Sequence, residues 1–169
     1  MILVRPEKSA DVAAVHQLNE RAFGRPAEAN LVDALRTRGK VALSLVAEED
    51  GRVVGHILFS PVTIASGEST FSALGLAPMA VLPELQRRGI GSLLVATGLA
   101  ECRKAGYAAV VVLGHPEYYP RFGFIPASRY GIKCEYDVPD EVFMLIELRA
   151  GALRGCAGTA KYQPEFSEV

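Results

Sequence analysis

No part of this sequence restricts its fold more than residues 74–113, where an apolar strand runs into a glycine-opened turn, a helix and a second apolar strand. Leu74 to Leu82 is almost wholly apolar and reads as a buried strand, closed by Pro83-Glu84. The turn is Gln86-Arg87-Arg88-Gly89-Ile90-Gly91-Ser92. A helix starting near Gly89 puts Ile90, Leu93, Leu94, Thr97, Gly98 and Cys102 on one face, with Arg103 and Lys104 in its last turn and Gly106 placed to cap it. The strand Ala108–Leu113 follows, and a right-handed crossover makes strands 74–82 and 108–113 parallel neighbours. Glycines at 89 and 91 remove the Cβ atoms that would keep a ligand off the backbone. The first N–H groups of a helix have no internal acceptor and carry the positive end of its dipole. With Arg87 and Arg88 on the approach, the turn is an anion site, and its natural anion is a pyrophosphate.

The kind of pyrophosphate ligand follows in part by elimination. An ATPase-type phosphate loop requires a lysine after its last glycine, and none follows Gly91. A dinucleotide fingerprint requires a third glycine where Leu94 stands, and an acidic ribose ligand where Val110, Val111 and Val112 stand. The spacing that fits is Q-x-x-G-x-G after an apolar strand, and in this the chain resembles the GNAT superfamily of acetyl-CoA-dependent N-acetyltransferases. A second segment agrees, since Tyr119-Pro120-Arg121-Phe122-Gly123-Phe124 resembles that family's Y-x-x-x-G-F element. The wording from Leu113 to Phe124 resembles its bacterial YhbS-like subgroup, and the resemblance covers residues 1–149. It implies a mixed α/β fold, with a mostly antiparallel sheet of six to seven strands, a V-shaped split between two central parallel strands, and helices on both faces. It also implies acetyl-CoA as co-substrate, no metal, and transfer of acetyl to a primary amine of a small molecule or peptide.

Taken in order, Ile2 to Arg5 reads as a short strand, and Ser9 as the N-cap of a helix whose apolar face is Val12, Val15, Leu18 and Ala22. Gly24-Arg25-Pro26 breaks that helix; a second begins near Ala27 with Leu31, Ala34 and Leu35 as its stripe and Gly39 beyond its end. Val41–Glu48 and Arg52–Ala65 are strands joined at Glu49-Asp50-Gly51, and Ser66-Gly67-Glu68-Ser69 turns into strand Thr70–Leu82. After the β-α-β unit, Pro116 to Phe122 reads as a short helix, Gly123-Phe124 starts the return, and Val142–Leu148 is a final strand. Residues 1–149 make one acetyltransferase domain; the Gly- and Ala-rich tail 150–169, anchored by Tyr162 and Phe166, is either a loose end or a clasp packed on that domain.

The chain has 169 residues, half of them hydrophobic, enough for a core without disulfides or metals. A net charge of −1 gives no reason to expect nucleic-acid or membrane binding. Cys102, Cys134 and Cys156 are odd in number and lack metal-ligand spacing, Met1 to Pro6 does not read as a signal peptide, and residues 107–113 fit a buried strand. These point to reduced thiols in a cytoplasmic protein, with a homodimer left open.

Pro78 has no N–H to give the ladder, which suggests that strands 74–82 and 108–113 part there. The resemblance then implies that main-chain groups of Met79, Ala80 and Val81 pair with the pantetheine arm while residues 86–92 hold the diphosphate. An amine of pKa roughly 10.4 must lose its proton, at ~4.6 kcal/mol at pH 7 unless a base helps. The oxyanion requires a donor, for which a main-chain N–H near Ala80 or Val81 is placed. The thiolate requires a proton; Tyr119 occupies the family's general-acid position, with Tyr118 the alternative one register away. Phe124 reads as packing, and Phe122 as packing that also flanks the cofactor arm. Strand 74–82 offers no carboxylate base, and Glu84 lies beyond it; His115, past strand 108–113, is the best-placed titratable group, ahead of His56 and His16. Acceptor recognition falls to residues 23–30 and 125–141, whose charges Arg25, Glu28, Arg129, Glu135 and Asp137 read as solvated. No cysteine stands where strand 74–82 meets the turn, so direct transfer is expected. Two other readings stay open: a non-catalytic acyl-CoA sensor or partner module, and transfer of a longer acyl chain, depending on the room near Leu76 and Leu113.

Overall fold

The structure is a computed structural model describing residues 1–169. In chain order its strands are β1 (Ile2–Pro6), β2 (Leu43–Glu49), β3 (Arg52–Ser66), β4 (Ser69–Val81), β5 (Ala109–Leu113), β6 (Ile125–Pro126), β7 (Ile132–Cys134), β8 (Phe143–Glu147) and β9 (Gly158–Lys161). Its helices are α1 (Val12–Phe23), α2 (Ala27–Thr37) and α3 (Ile90–Lys104). The hydrogen-bonded strand order is β1-β2-β3-β4-β5-β8-β6, and β9 pairs with both β3 and β7. The fold is mixed α/β with a mostly antiparallel sheet and one central parallel pair, β4 with β5. Short β6, β7 and β9 raise the strand count to nine, above the expected six to seven, because two- to four-residue strands carry no readable alternation. No helix is long and apolar enough to cross a membrane.

The chain forms two compact units. The first takes Met1–Phe59, Ala77–Gly98 and Pro164–Val169. Its core sets Val15 of α1 and Leu31, Val32 and Leu35 of α2 against Val46 and Leu58 of the sheet. Val32, rather than Ala34, completes the buried stripe of α2, and Phe166 packs against the same cluster. Ser9 does not cap α1. It lies inside a 3-10 turn (Ser9–Asp11), and the Asp11 carboxylate accepts the Lys8 N–H at 2.7 Å and a two-pronged bond from Arg5 at 2.7 and 3.0 Å.

Helix α3 meets β3 closely. A Cβ on Gly98 would lie 2.6 Å from Phe59 Cε2, and one on Gly55 would lie 2.9 Å from Leu94 Cδ1, so both glycines are spaces the packing uses. That contact fixes the helix's rotation, with Ile90, Leu94, Val95, Leu99 and Cys102 buried while Leu93, expected on the apolar face, is 41% exposed. Its end is the expected glycine cap: Gly106 N–H bonds Arg103 O at 3.1 Å and Tyr107 N–H bonds Cys102 O at 3.2 Å.

The second unit takes Ser60–Leu76 and Leu99–Gln163. There β4 and β5 pair in parallel at Leu74↔Val110 and Gly75↔Val111, ahead of the cis Ala77–Pro78 bond. β8 runs antiparallel to β5 with Leu113 opposite Phe143, and β9 runs antiparallel to β3 with Thr63 opposite Lys161. Val142–Leu148 is therefore not the last strand. The expected helix over Pro116–Phe122 shrinks to a 3-10 turn, Tyr119–Phe122, after a bend in which Tyr118 and Tyr119 both donate their N–H to His115 O. Pro120 has no N–H to propagate a helix.

Candidate active site

In the first unit the turn after β4 is built from local main-chain geometry. Pro83–Leu85 is a 3-10 turn, and Leu82 N–H bonds Val54 O at 3.0 Å, which ties the end of β4 to β3. Gln86 Nε2 donates to Val81 O at 3.1 Å, so the glutamine folds the turn back onto the strand it leaves. Arg87 and Gly89 have left-handed φ values of 66° and 85°, and α3 begins immediately afterwards at Ile90. Main-chain N–H groups of residues 87–91 have no main-chain acceptor, as the first turn of a helix dictates. Arg87, Arg88 and Gly89 are exposed, Gly91 and Ser92 half-buried, and Ile90 is sunk in the core beneath them. The turn thus combines outward donors, a helix dipole and two cations, an arrangement suited to a diphosphate. Glu84, distant from any role as base, bridges Arg21 at 2.9 Å and Arg52 at 3.4 Å and steadies the outer side of the turn. Met79 is half-buried, while Ala80 and Val81 are buried.

The second unit holds the tyrosine. Tyr119 is buried, its ring edge-on to Tyr118 at 5.1 Å and Phe124 at 5.6 Å, with Phe122 tilted at 6.4 Å. Burial pushes its phenol up to about 12, so it stays a proton donor through the neutral and moderately basic range. His115 is exposed at the end of β5, and its carbonyl closes the bend that carries Tyr119. Phe122 is half-buried, 5.3 Å from the Tyr118 ring.

The other two histidines are committed elsewhere. His56 is fully buried between Ser44 Oγ (2.9 Å) and Asn19 Nδ2 (3.2 Å), with its pKa lowered to about 3 by burial. His16 Nδ1 pairs with Asp33 at 2.7 Å. One charge that reads as solvated is not: Glu28 is buried and paired with Arg25 at 2.5 Å. Glu135 is exposed as expected, and its carboxylate accepts the Tyr162 N–H at 2.5 Å. Residues 128–143 enclose a cavity of about 370 Å³, bordered by Tyr136, Phe143, Glu135, Asp137 and Asp140.

Comparison with known proteins decides the family. The acetyltransferase (GNAT) domain matches residues 3–127. Over 167 residues the chain is 36% identical to the uncharacterized N-acetyltransferase YhbS of Escherichia coli K12, covering 98% of this chain and 99% of that protein. The chain belongs to the GNAT family of N-acetyltransferases. Two solved GNAT structures are similar along almost its whole length. E. coli YhbS in complex with CoA superposes with a TM-score of 0.93 at 36% identity, covering 98% of this chain and 92% of that one. A GNAT acetyltransferase from Brucella melitensis in complex with acetyl-CoA superposes with a TM-score of 0.82 at 37% identity, covering 98% of each chain. Against this GNAT frame, sequence reasoning passed over Gly114. A Cβ there would lie 2.3 Å from Tyr119 Cε2, and a lone glycine after a strand gives no sign of a ring returning onto it.

Proposed function

We propose that this GNAT protein moves an acetyl group from acetyl-CoA to a primary amine of a small molecule or peptide, by direct attack on the thioester through a tetrahedral intermediate. The observation that carries the reading is the turn at residues 86–92, where the main-chain N–H groups of residues 87–91 have no main-chain acceptor and Arg87 and Arg88 stand beside them, as suits the coenzyme's diphosphate. That CoA and acetyl-CoA occupy two full-length relatives supports the same ligand here. Gln86, Arg87, Arg88, Gly89, Ile90, Gly91 and Ser92 hold the diphosphate, and the main chain of Met79, Ala80 and Val81 serves the arm and the oxyanion. Phe122 flanks the arm. Tyr119 donates the proton that the departing thiolate requires, and its raised pKa suits a group that must arrive protonated. His115, exposed just past the end of β5, takes the proton of the incoming amine or contacts it. The cavity at 128–143 has the volume for a small amine, and its three carboxylates against Lys133 favour a cationic one.

The test is thiol release from acetyl-CoA against a panel of amines, amino acids, polyamines and peptides, with wild type and Tyr119→Phe side by side. The variant is expected to lose ~10²-fold or more in kcat while KM for acetyl-CoA stays within about twofold. Unchanged turnover would remove Tyr119 from the chemistry. A second reading, a non-catalytic acyl-CoA sensor, is favoured by the lack of any carboxylate on β4 after Ser69. It wins if acetyl-CoA binds and no amine of the panel releases thiol.

A further inference from the structure

The structure assigns Gly114 as the positioning residue for Tyr119: the empty side of this glycine is the seat on which the tyrosine ring rests. The inference rests on the proposed role of Tyr119 as proton donor, and it concerns how that donor is aimed.

Three observations build the seat. A Cβ on Gly114 would meet Tyr119 Cε2 at 2.3 Å, Cδ2 at 2.7 Å and Cζ at 3.3 Å, so the Cδ2–Cε2 edge of the ring occupies the space a side chain would fill. No left-handed φ is needed at Gly114, so the glycine serves the ring and not the backbone. The glycine itself is immobile, because its N–H donates to Val142 O at 3.0 Å and it directly follows β5, whose Leu113 pairs with Phe143 of β8. The chain then returns within five residues. Both Tyr118 and Tyr119 donate to His115 O, at 3.1 and 3.3 Å, and this bend swings the ring back over Gly114. Phe124, edge-on at 5.6 Å, and Tyr118, at 5.1 Å, hold the ring from other directions.

The consequence is geometric. Ordinary van der Waals contact for a Cβ starts near 3.4 Å, so an alanine at 114 must push the ring about an ångström from its seat. A proton donor aimed at a leaving sulfur tolerates little of that, since displacements of about 1 Å can cost ~10²-fold. Alanine fits the main chain, so the substitution acts on the ring while leaving β5 and its pairing with β8 in place.

The experiment combines kinetics with a direct view of the ring. Kinetics use thiol release from acetyl-CoA with the fastest amine of the panel, for wild type, Gly114→Ala, Tyr119→Phe and the double variant. Gly114→Ala is expected to lower kcat by ~10- to 100-fold with KM for acetyl-CoA within about twofold. In the Tyr119→Phe background the same alanine should cost less than about twofold, because there is no longer a hydroxyl to misaim. Losses that multiply in the double variant, or a Gly114→Ala enzyme as fast as wild type, would overturn the assignment. The ring is watched by ¹⁹F NMR of protein carrying 3-fluorotyrosine at position 119. Its resonance should move outside the wild-type line in Gly114→Ala, and a resonance that stays in place refutes the seat. If Tyr119→Phe alone keeps full turnover, or no amine is acetylated, the proton-donor reading falls while the fluorine experiment still decides whether Gly114 seats the ring.

Discussion

Arg87 holds a backbone conformation that a glycine would adopt freely. Its φ is 66°, in the left-handed region, where a non-glycine residue costs about 1–2 kcal/mol. Gly89, two residues on, reaches 85° with nothing within 4 Å of where its Cβ would stand. The turn thus has a glycine at one left-handed position and a guanidinium at the other. On the proposed binding mode, charge toward the diphosphate is the physical reason an arginine is worth that strain. Two substitutions separate charge from strain. Arg87→Gly relieves the backbone but adds freedom to the unfolded chain, for a net gain of about 0.5–1 kcal/mol in urea unfolding. Arg87→Ala keeps the left-handed conformation and gains nothing. Calorimetric titration with CoA should show both variants several-fold weaker, by a similar factor, since each loses the same charge. Wild-type affinity in both would dismiss Arg87 from the diphosphate site. A destabilised Arg87→Gly would mean that the side chain supports the fold in a way its exposure does not suggest.

At the scale of elements, the anion turn depends on how α3 seats on β3. A Cβ on Gly98 would lie 2.6 Å from the Phe59 ring, about two turns from the helix start that presents the donors. Gly98→Ala overpacks that contact and is expected to cost about 1–3 kcal/mol in urea unfolding. Phe59→Leu in the same chain should recover part of the loss, because the smaller side chain vacates the space the methyl enters. Losses that simply add in the double variant would show that the two residues do not share a contact. The same helix shows what was legible in the sequence. Its limits were readable, because apolar period, last-turn cations and Gly106 are contiguous signals. Its rotation was not: Leu93 and Val95 both fit an apolar stripe, and the choice between them was made by Gly55 and Gly98 meeting Leu94 and Phe59. Ser9 falls inside a 3-10 turn before α1, and the carboxylate of Asp11, the residue that precedes the helix, is taken by Arg5 of β1 and the Lys8 N–H, contacts that no local pattern announces. The turn at 86–92 was legible for the reason that the limits of α3 were, being set by neighbours in sequence. Gly114 was not, since its meaning depends on a ring that arrives through a bend at His115. Nor was the burial of Glu28, which is paired with Arg25, or the bond by which the exposed Glu135 takes the Tyr162 N–H beside the tail strand.

Across the whole molecule, three buried ionisable groups make acid unfavourable to the fold in the same direction. His56 has no exposed surface. Ser44 Oγ–H donates to Glu7 Oε1 at 2.8 Å, so the serine oxygen accepts from His56 Nε2–H at 2.9 Å, and Nδ1 accepts from the Asn19 amide at 3.2 Å. A second proton would have to sit on Nδ1, facing an N–H that cannot accept it. Burial, with the nearby Arg36 guanidinium adding to it, holds the imidazole down at about 3. Between pH 6.5 and about 3 the unfolded chain therefore binds a proton that the folded chain refuses, and stability falls on acidification by up to about 1.4 kcal/mol per pH unit. Asp11, held at about 2 by the Arg5 guanidinium, and Glu165, held at about 2 by Arg38, act lower down. They are charged in both states above their ordinary values, and their contribution is lost only as pH drops from about 4 toward 2. All three belong to the first unit, so acid should open that unit. Urea midpoints taken from pH 7.5 to 3.5 should decline in two stages, the first beginning near 6.5 and the second below about 4.5. In His56→Gln the first stage should vanish and the second persist, whatever the variant's stability at pH 7, because an amide neither gains nor refuses a proton. A His56→Gln protein that keeps the same slope between pH 6.5 and 4.5 would show that some other group takes up the proton on unfolding.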